Sequence, residues 1–237
     1  MHTKMRIEQL FLATLVAFLP LNSLEAQDVL PSISPTATYM DEEGNEATAD
    51  EDNPSFFGQA PLEVTFHANP SDMIGFQPSY EWHFRMEGEA RDLLVRYEED
   101  TQYTFTTAGT TRVTLYVNLG TDTLKLDSVT FFVTISESKL TFPNAFSPNG
   151  DQRNDVFMAK EYQSLVEFHA YIFNRWGQKL FEWTDPSEGW DGTHNGTPVK
   201  EGVYFVLVRA KGADGREYNI RKDVNLLRGY TEETSRQ

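Results

Sequence analysis

The chain has 237 residues, with 20 lysines plus arginines, 36 aspartates plus glutamates, no cysteine and a formal net charge of −16 at pH 7. At roughly 100–200 residues per domain, that length fits one or two domains, and the acidity excludes nucleic-acid binding by counterion release and attraction to anionic lipid. Zero cysteine excludes disulfides, thiolate metal sites, cysteine nucleophiles and a lipidated N-terminal cysteine, while 39% hydrophobic and 13% aromatic residues suffice for a core.

Residues 1–26 read as a signal peptide. Lys4 and Arg6 give a positive start, residues 10–21 an apolar run broken by Pro20, and Ser23-Leu24-Glu25-Ala26 a cleavage site ahead of Gln27. The run is shorter than the roughly 17–25 residues that cross a bilayer as a helix. The expectation is export of a mature chain, cleaved near Ala26-Gln27, with no direct membrane insertion.

Beyond it the pattern is β throughout. Residues 41–53 carry seven acids (Asp41, Glu42, Glu43, Glu46, Asp50, Glu51 and Asp52). They read as a solvated, mobile loop between the first two strands, with attraction to a basic partner or a loosely held divalent cation as the sharper alternative. Leu62, Val64, Phe66 and Ala68 then alternate with Glu63, Thr65 and His67, which puts one face in a core and His67 outside. Val113, Leu115 and Val117 repeat the alternation, as do Val129, Phe131, Val133 and Ile135. In the second half, Val166, Phe168, Ala170 and Ile172 share a face, and Val203, Phe205 and Leu207 share another on a long buried strand. Tyr218, Ile220, Val224 and Leu226 close the series, with Lys222 as the polar interruption. Turn pairs separate the runs: Ala108-Gly109, Asn149-Gly150, Asp191-Gly192, Asn195-Gly196 and Asp214-Gly215.

No long stretch has helical period, so the fold class is all-β, with two immunoglobulin-like β-sandwiches in tandem, 27–138 and 139–228, and a polar tail at 229–237. The boundary falls at 137–141, which leaves about 100 residues on each side, the size of one such sandwich. Charge divides there too. Residues 27–138 hold 20 acidic and 5 basic residues, net −15; residues 139–237 hold 14 and 13, net −1. No internal repeat links the halves.

Catalytic chemistry is not signalled. His67, His83, His169 and His194 have no metal-ligand spacing, there is no H-E-x-x-H or G-x-S-x-G, and no carboxylate pair stands out. The chain is therefore expected to be no enzyme and to carry no cofactor. Asn149, Asp151, Asn154 and Asp155 could supply oxygens to calcium, but Arg153 occupies a position that such a loop gives to oxygen; the same residues suit turns in which short polar side chains bond their own backbone. Asn195-Gly196-Thr197 formally fits an N-glycan acceptor and reads as a turn.

Four motifs occur in order in the second half: Phe142-Pro143-Asn144-Ala145-Phe146-Ser147-Pro148-Asn149-Gly150-Asp151 with Asn154-Asp155-Val156-Phe157; Ile172-Phe173-Asn174-Arg175-Trp176-Gly177-Gln178; Gly189-Trp190-Asp191-Gly192 through Glu201-Gly202-Val203-Tyr204-Phe205; and Val224-Asn225-Leu226-Leu227-Arg228. Together they resemble the gliding-motility-associated C-terminal domain, the type B sorting domain of the type IX secretion system of Bacteroidetes. Gln152-Arg153 and the nine-residue tail depart from that pattern. The resemblance implies recognition by the type IX translocon, a small PorP/SprF-like outer-membrane protein as attachment partner, and residence at the cell surface or in the medium. The expected partner surface is Asn149, Gly150, Asp151, Asn154, Asp155, Asn174, Arg175, Trp176 and Gly177. Asp122-Thr123-Leu124 and Asp127-Ser128-Val129 resemble sites that Bacteroidetes O-glycosylate during export, which makes Thr123 and Ser128 candidates.

The first half resembles a PKD-like domain through Ala60-Pro61-Leu62-Glu63-Val64-Thr65-Phe66, Tyr80-Glu81-Trp82-His83-Phe84 and Tyr103-Thr104-Phe105 with Val113-Thr114-Leu115. The usual Gly-Asp-Gly is replaced by Arg85-Met86-Glu87-Gly88. Trp82 is expected in the core and Tyr103 at a corner, bonding backbone. The resulting expectation is a non-enzymatic exported protein with a module for contacts or spacing. The alternative is a carbohydrate- or calcium-binding adhesion module.

Overall fold

The structure is a computed structural model that describes residues 30–120 and 128–229. The signal-peptide residues, Thr123 and the tail beyond Gly229 lie outside the described residues. Every regular element among the described residues is a strand, and no described helix is long and apolar enough to cross a membrane.

The first half contains β1 (Ser32–Ile33), β2 (Thr36–Met40), β3 (Glu46–Ala49), β4 (Ser55–Gly58), β5 (Leu62–His67), β6 (Pro70–Ser71), β7 (Ser79–Met86), β8 (Leu94–Arg96), β9 (Thr101–Phe105), β10 (Gly109–Asn118) and β11 (Val129–Ile135). A four-stranded sheet, β3-β2-β5-β9, packs on a five-stranded one, β4-β11-β10-β7-β8, with β1 and β6 forming a small separate pair. The alternation explains the packing: Leu62, Val64 and Phe66 are buried from one sheet, and Val113, Leu115, Val117, Phe131 and Val133 from the other. Phe66 is central, with ring centroids 5.6 Å from Trp82, 5.7 Å from Phe84 and 5.8 Å from Phe131. Trp82 is fully buried, and its indole N–H reaches the carbonyls of Glu98 and Glu99, both at 3.2 Å.

Two expectations change here. Residues 41–53 are not one loop. They begin as the turn of the β2–β3 hairpin, continue through β3 and end in a second turn at Asp50. The Asp41 carboxylate accepts the N–H groups of Glu43 (3.0 Å) and Asn45 (2.8 Å), so part of the acidic run shapes its own backbone. Tyr103 is not a corner residue. It lies within β9, and its ring packs on Phe84 and Phe105.

The second half contains β12 (Lys139–Thr141), β13 (Ala145–Phe146), β14 (Phe157–Met158), β15 (Glu161–Gln163), β16 (Leu165–Phe173), β17 (Lys179–Trp183), β18 (Gly189–Trp190), β19 (Thr193–His194), β20 (Thr197–Pro198), β21 (Gly202–Gly212) and β22 (Glu217–Leu226). Its main sheet runs β13-β22-β21-β16-β17. That is the same plan as β4-β11-β10-β7-β8: a short edge strand parallel to the last strand, then antiparallel neighbours. The opposite layer is no continuous sheet but the pairs β12–β15, β14–β18 and β19–β20. Phe157 and Trp190 descend from it as fully buried side chains onto Ile172, Val206, Val208 and Val224.

The face expected of β21 is reversed. Tyr204, Val206, Val208 and Ala210 are buried, whereas Val203 and Phe205 are each 47% exposed. Residues 203–208 are apolar without interruption, so alternation cannot choose between the two faces.

The junction is built, not loose. Ser136 Oγ and Ser164 Oγ share a 2.7 Å hydrogen bond, and Ser164 Oγ also accepts the Ala60 N–H at 3.2 Å. The Ala108 N–H donates to the Ala213 carbonyl at 3.0 Å, while Ala213 itself is buried in the first core with Val166 packed beside it. Ser138 donates to Asp214 Oδ1 at 2.7 Å and meets Tyr218 Oη at 2.9 Å. At Gly212 any Cβ would collide with the Ser138 side chain, so only glycine permits this approach.

A candidate docking tip on the second sandwich

Strand register places the expected surface. Phe173 lies opposite Phe205, Gly202 opposite Leu226, and Phe146 alongside Leu226. The 147–155 loop, the 174–178 turn, residues 199–201 and Arg228 therefore leave the main sheet at one end. The junction residues Ser164, Gly212 and Ala213 lie at the other. The two groups of expected residues share the free end but not one spot: β13 is one edge strand, and β16 lies three strand spacings away, roughly 14 Å.

Each group is built differently. In the 174–178 turn, Asn174 Oδ1 accepts the N–H groups of Trp176 and Gln178, both at 3.0 Å, and Gly177 supplies the positive φ of 79°. This fixed turn presents Trp176, which is 80% exposed, with the Arg175 guanidinium 5.3 Å from its ring centre. A groove of about 550 Å³ beside it is lined by Phe173, Gly177, Phe205, Leu207 and Arg221. The turn thus adjoins an outer face on which exposed Val203 and Phe205 are interspersed with the charged Arg221 and Asp223.

The 149–155 loop is organised around one carboxylate. Asp155 accepts the N–H groups of Asn149 (2.9 Å), Gly150 (2.9 Å) and Gln152 (2.8 Å). These bonds, Gly150 first, hold its carboxyl below the usual range against the opposing effect of desolvation. Asp151 Oδ1 accepts the Arg153 N–H at 2.9 Å and Asp151 Oδ2 the Asn149 side-chain amide at 3.0 Å. Gln152 and Asn154 adopt positive φ, 66° and 53°. The side-chain oxygens of Asn149, Asp151 and Asp155 are thus directed to backbone and amide donors, and no group of three or more histidine or acidic side chains among the described residues is placed to hold a metal.

Other side chains pin the irregular layer. The Arg228 guanidinium donates to the carbonyls of Gly192 (2.9 Å), Val199 (3.1 Å) and Pro148 (3.2 Å). The Lys222 ammonium reaches the carbonyls of Pro143 (2.8 Å) and Phe142 (3.1 Å). Tyr204 Oη donates to the Lys200 carbonyl at 2.6 Å, so it is Tyr204, not Tyr103, that ties back to backbone.

With that geometry in place, residues 140–222 match the family model described as CHU_C Type IX secretion signal domain. This part of the chain is a type IX secretion signal domain. It marks the protein for sorting by the type IX system, with export to the cell surface or the medium. No curated protein matches the chain. Solved structures similar to it include the chicken CNTN1 FN1–FN3 domains, at 9% identity and a TM-score of 0.32, covering 74% of this chain and 63% of that one. Another is a tetra-tandem repeat in the extending region of a large adhesion protein, at 12% identity and a TM-score of 0.28, covering 84% and 68%.

Most signature residues of the secretion signal domain serve its own fold. Asp155, Asn174 and Arg228 bind backbone, Trp190 fills the core, and its indole N–H bonds the Thr193 carbonyl at 2.7 Å. Among the motif residues left exposed are Arg175, Trp176, Val203 and Phe205. Sequence reasoning missed the exposure of Val203 and Phe205 and the anchoring role of Lys222. The available signal was a lone lysine at a core-parity position of β22. Outside the domain, Ser128 is exposed just before β11. The histidines are taken up locally: His67 Nδ1 lies 2.8 Å from Asp100, His169 stacks on Tyr171, and His194 meets the Leu180 carbonyl at 2.9 Å.

Proposed function

We propose that the protein is a non-enzymatic surface protein, exported with its signal peptide removed, whose C-terminal sandwich attaches it to an outer-membrane partner of the small PorP/SprF kind. The first sandwich is a PKD-like module for contacts or spacing. The mechanism is docking. The observation that carries the reading is the exposed Trp176, held in a side-chain-locked turn at the same end as the exposed Phe205 and Val203, the end of the secretion signal domain away from the first sandwich. Large apolar side chains grouped on an exposed surface mark contact sites, and a rigid turn presents a tryptophan with little ordering cost.

The test is cell fractionation. Deletion of residues 139–237 abolishes export, and Trp176→Ala with Phe205→Ser reduces surface attachment of a protein that still folds. Unchanged surface levels in both variants would sink the reading.

A further inference from the structure

The first sandwich contains an arrangement that its charge makes conspicuous. Only 5 basic residues accompany the 20 acidic ones in 27–138. Two of the five, Arg85 and Arg112, stand directly opposite each other on β7 and β10. Like charges at directly opposite positions of a ladder repel and destabilise the pair. One carboxylate, Asp92, serves Arg85 and the neighbouring His83. Asp92 Oδ1 accepts Arg85 Nε at 2.7 Å, and Asp92 Oδ2 lies 2.8 Å from His83 Nδ1. Arg112 has no ion pair among the described residues, although acids outnumber bases fourfold in this half. Glu81 binds His83 Nε2 at 3.2 Å and sits four residues along the strand from Arg85, roughly 13 Å by strand rise.

His83, Arg85, Asp92, Arg112, Thr114 and Tyr116 together line a cavity of about 80 Å³. It is open to solvent and has room for a small group such as a carboxylate or a sulfate. Tyr116 is 49% exposed and stands edge-on to His83, with ring centroids 5.1 Å apart. Thr114 Oγ1 shares a 2.9 Å hydrogen bond with Thr130 Oγ1. If Thr130 gives its proton there, Thr114 keeps its own for a ligand.

We propose that this cavity is an oxyanion site that takes a carboxylate or sulfate group of a small ligand. Arg112 forks the group through its guanidinium, and Arg85, which gives Asp92 only its Nε–H, adds its terminal nitrogens. Thr114 is the third donor, and the Tyr116 ring lies against the body of the ligand. Bidentate guanidinium recognition accounts for arginine here, since both groups present a two-oxygen edge that a point charge would not orient. The same two cations repel calcium, so the site stands apart from any metal-binding reading of this protein.

The test is isothermal titration of the full mature chain with sodium sulfate, sodium glucuronate and glucose, with sodium chloride as the ionic-strength control. Sulfate or glucuronate binds saturably and glucose does not. Binding of sulfate alone assigns a free or ester sulfate, and binding of glucuronate alone assigns a sugar acid. Arg112→Gln weakens binding at least tenfold. Arg112→Lys, which keeps the charge and loses the fork, falls between that variant and the native protein. Arg209→Gln, exposed on the second sandwich, changes nothing. Absence of saturable binding by both anions, or unchanged affinity in Arg112→Gln and Arg112→Lys, overturns the proposal.

Discussion

The two sandwiches share one five-stranded plan and differ in what covers it. In the first, a regular four-stranded sheet supplies the second layer, and backbone ladders satisfy its peptide groups. In the second, three two-stranded pairs take that place, and side chains substitute for the missing ladders: Asp155 toward N–H groups, Arg228 and Lys222 toward carbonyls. Buried or half-buried peptide groups need partners whatever the secondary structure. A layer without long strands must therefore import them, and it does so with specific residues at specific places. That is why the second half carries dense, recognisable motifs while the first shows mainly alternation.

The largest effect that would break this comparison comes from the cores. Phe66→Ala removes the ring at the centre of the first sandwich and costs about 3–5 kcal/mol. Because Ala213 and Val166 of the second half pack on that core, hydrogen exchange in β21 should accelerate together with exchange in β10. Exchange that rises only in the first half would show two independently stable bodies. Ala213→Asp attacks the same coupling from the other side by placing a carboxylate in the first core, at about 3 kcal/mol. It should split a single thermal transition into two.

A smaller effect separates the two kinds of layer. Arg228→Ala leaves three carbonyls without their guanidinium and costs about 2 kcal/mol. The loss should appear as faster exchange around 192–199, with the first sandwich unchanged. If exchange there is unaltered, water replaces the arginine and the imported-partner account is wrong.

The smallest is a pH effect at Asp155. Its carboxyl titrates below the ordinary range when folded, so its stabilising contribution is complete above about pH 4 and is lost as pH falls through the folded value. Asp155→Asn should lower the melting temperature at pH 7, and the gap from the native protein should close on acidification. A gap that does not change with pH would assign the role to shape, not charge.

Much of the fold was legible because alternation at period two is a direct image of one buried face. Leu62, Val64 and Phe66, and likewise Val113, Leu115 and Val117, face the core as their spacing requires. The turns at Asn174-Gly177 and Asn195-Gly196 were legible because few residue types accept their backbone angles. The face of β21 was not, since six apolar residues in a row carry no parity. The acidic run at 41–53 misled in the opposite way. Its composition suggested solvation, but carboxylates that accept local N–H groups build a hairpin turn and leave room for a strand at Glu46–Ala49. The repeated sheet plan was invisible as well, because two sheets of equal topology need share no sequence when each position asks only for an apolar or a polar side chain.

The sequence by itself determined the β class, the asymmetry of charge between the halves and the motifs of the secretion signal domain, because composition, parity and turn chemistry are local properties of a chain. Tertiary structure alone decided which face of β21 meets solvent, that Ala213 completes the neighbouring core, and that Arg85 and Arg112 meet across a ladder. Those outcomes depend on register between strands distant in sequence, and register is settled by packing.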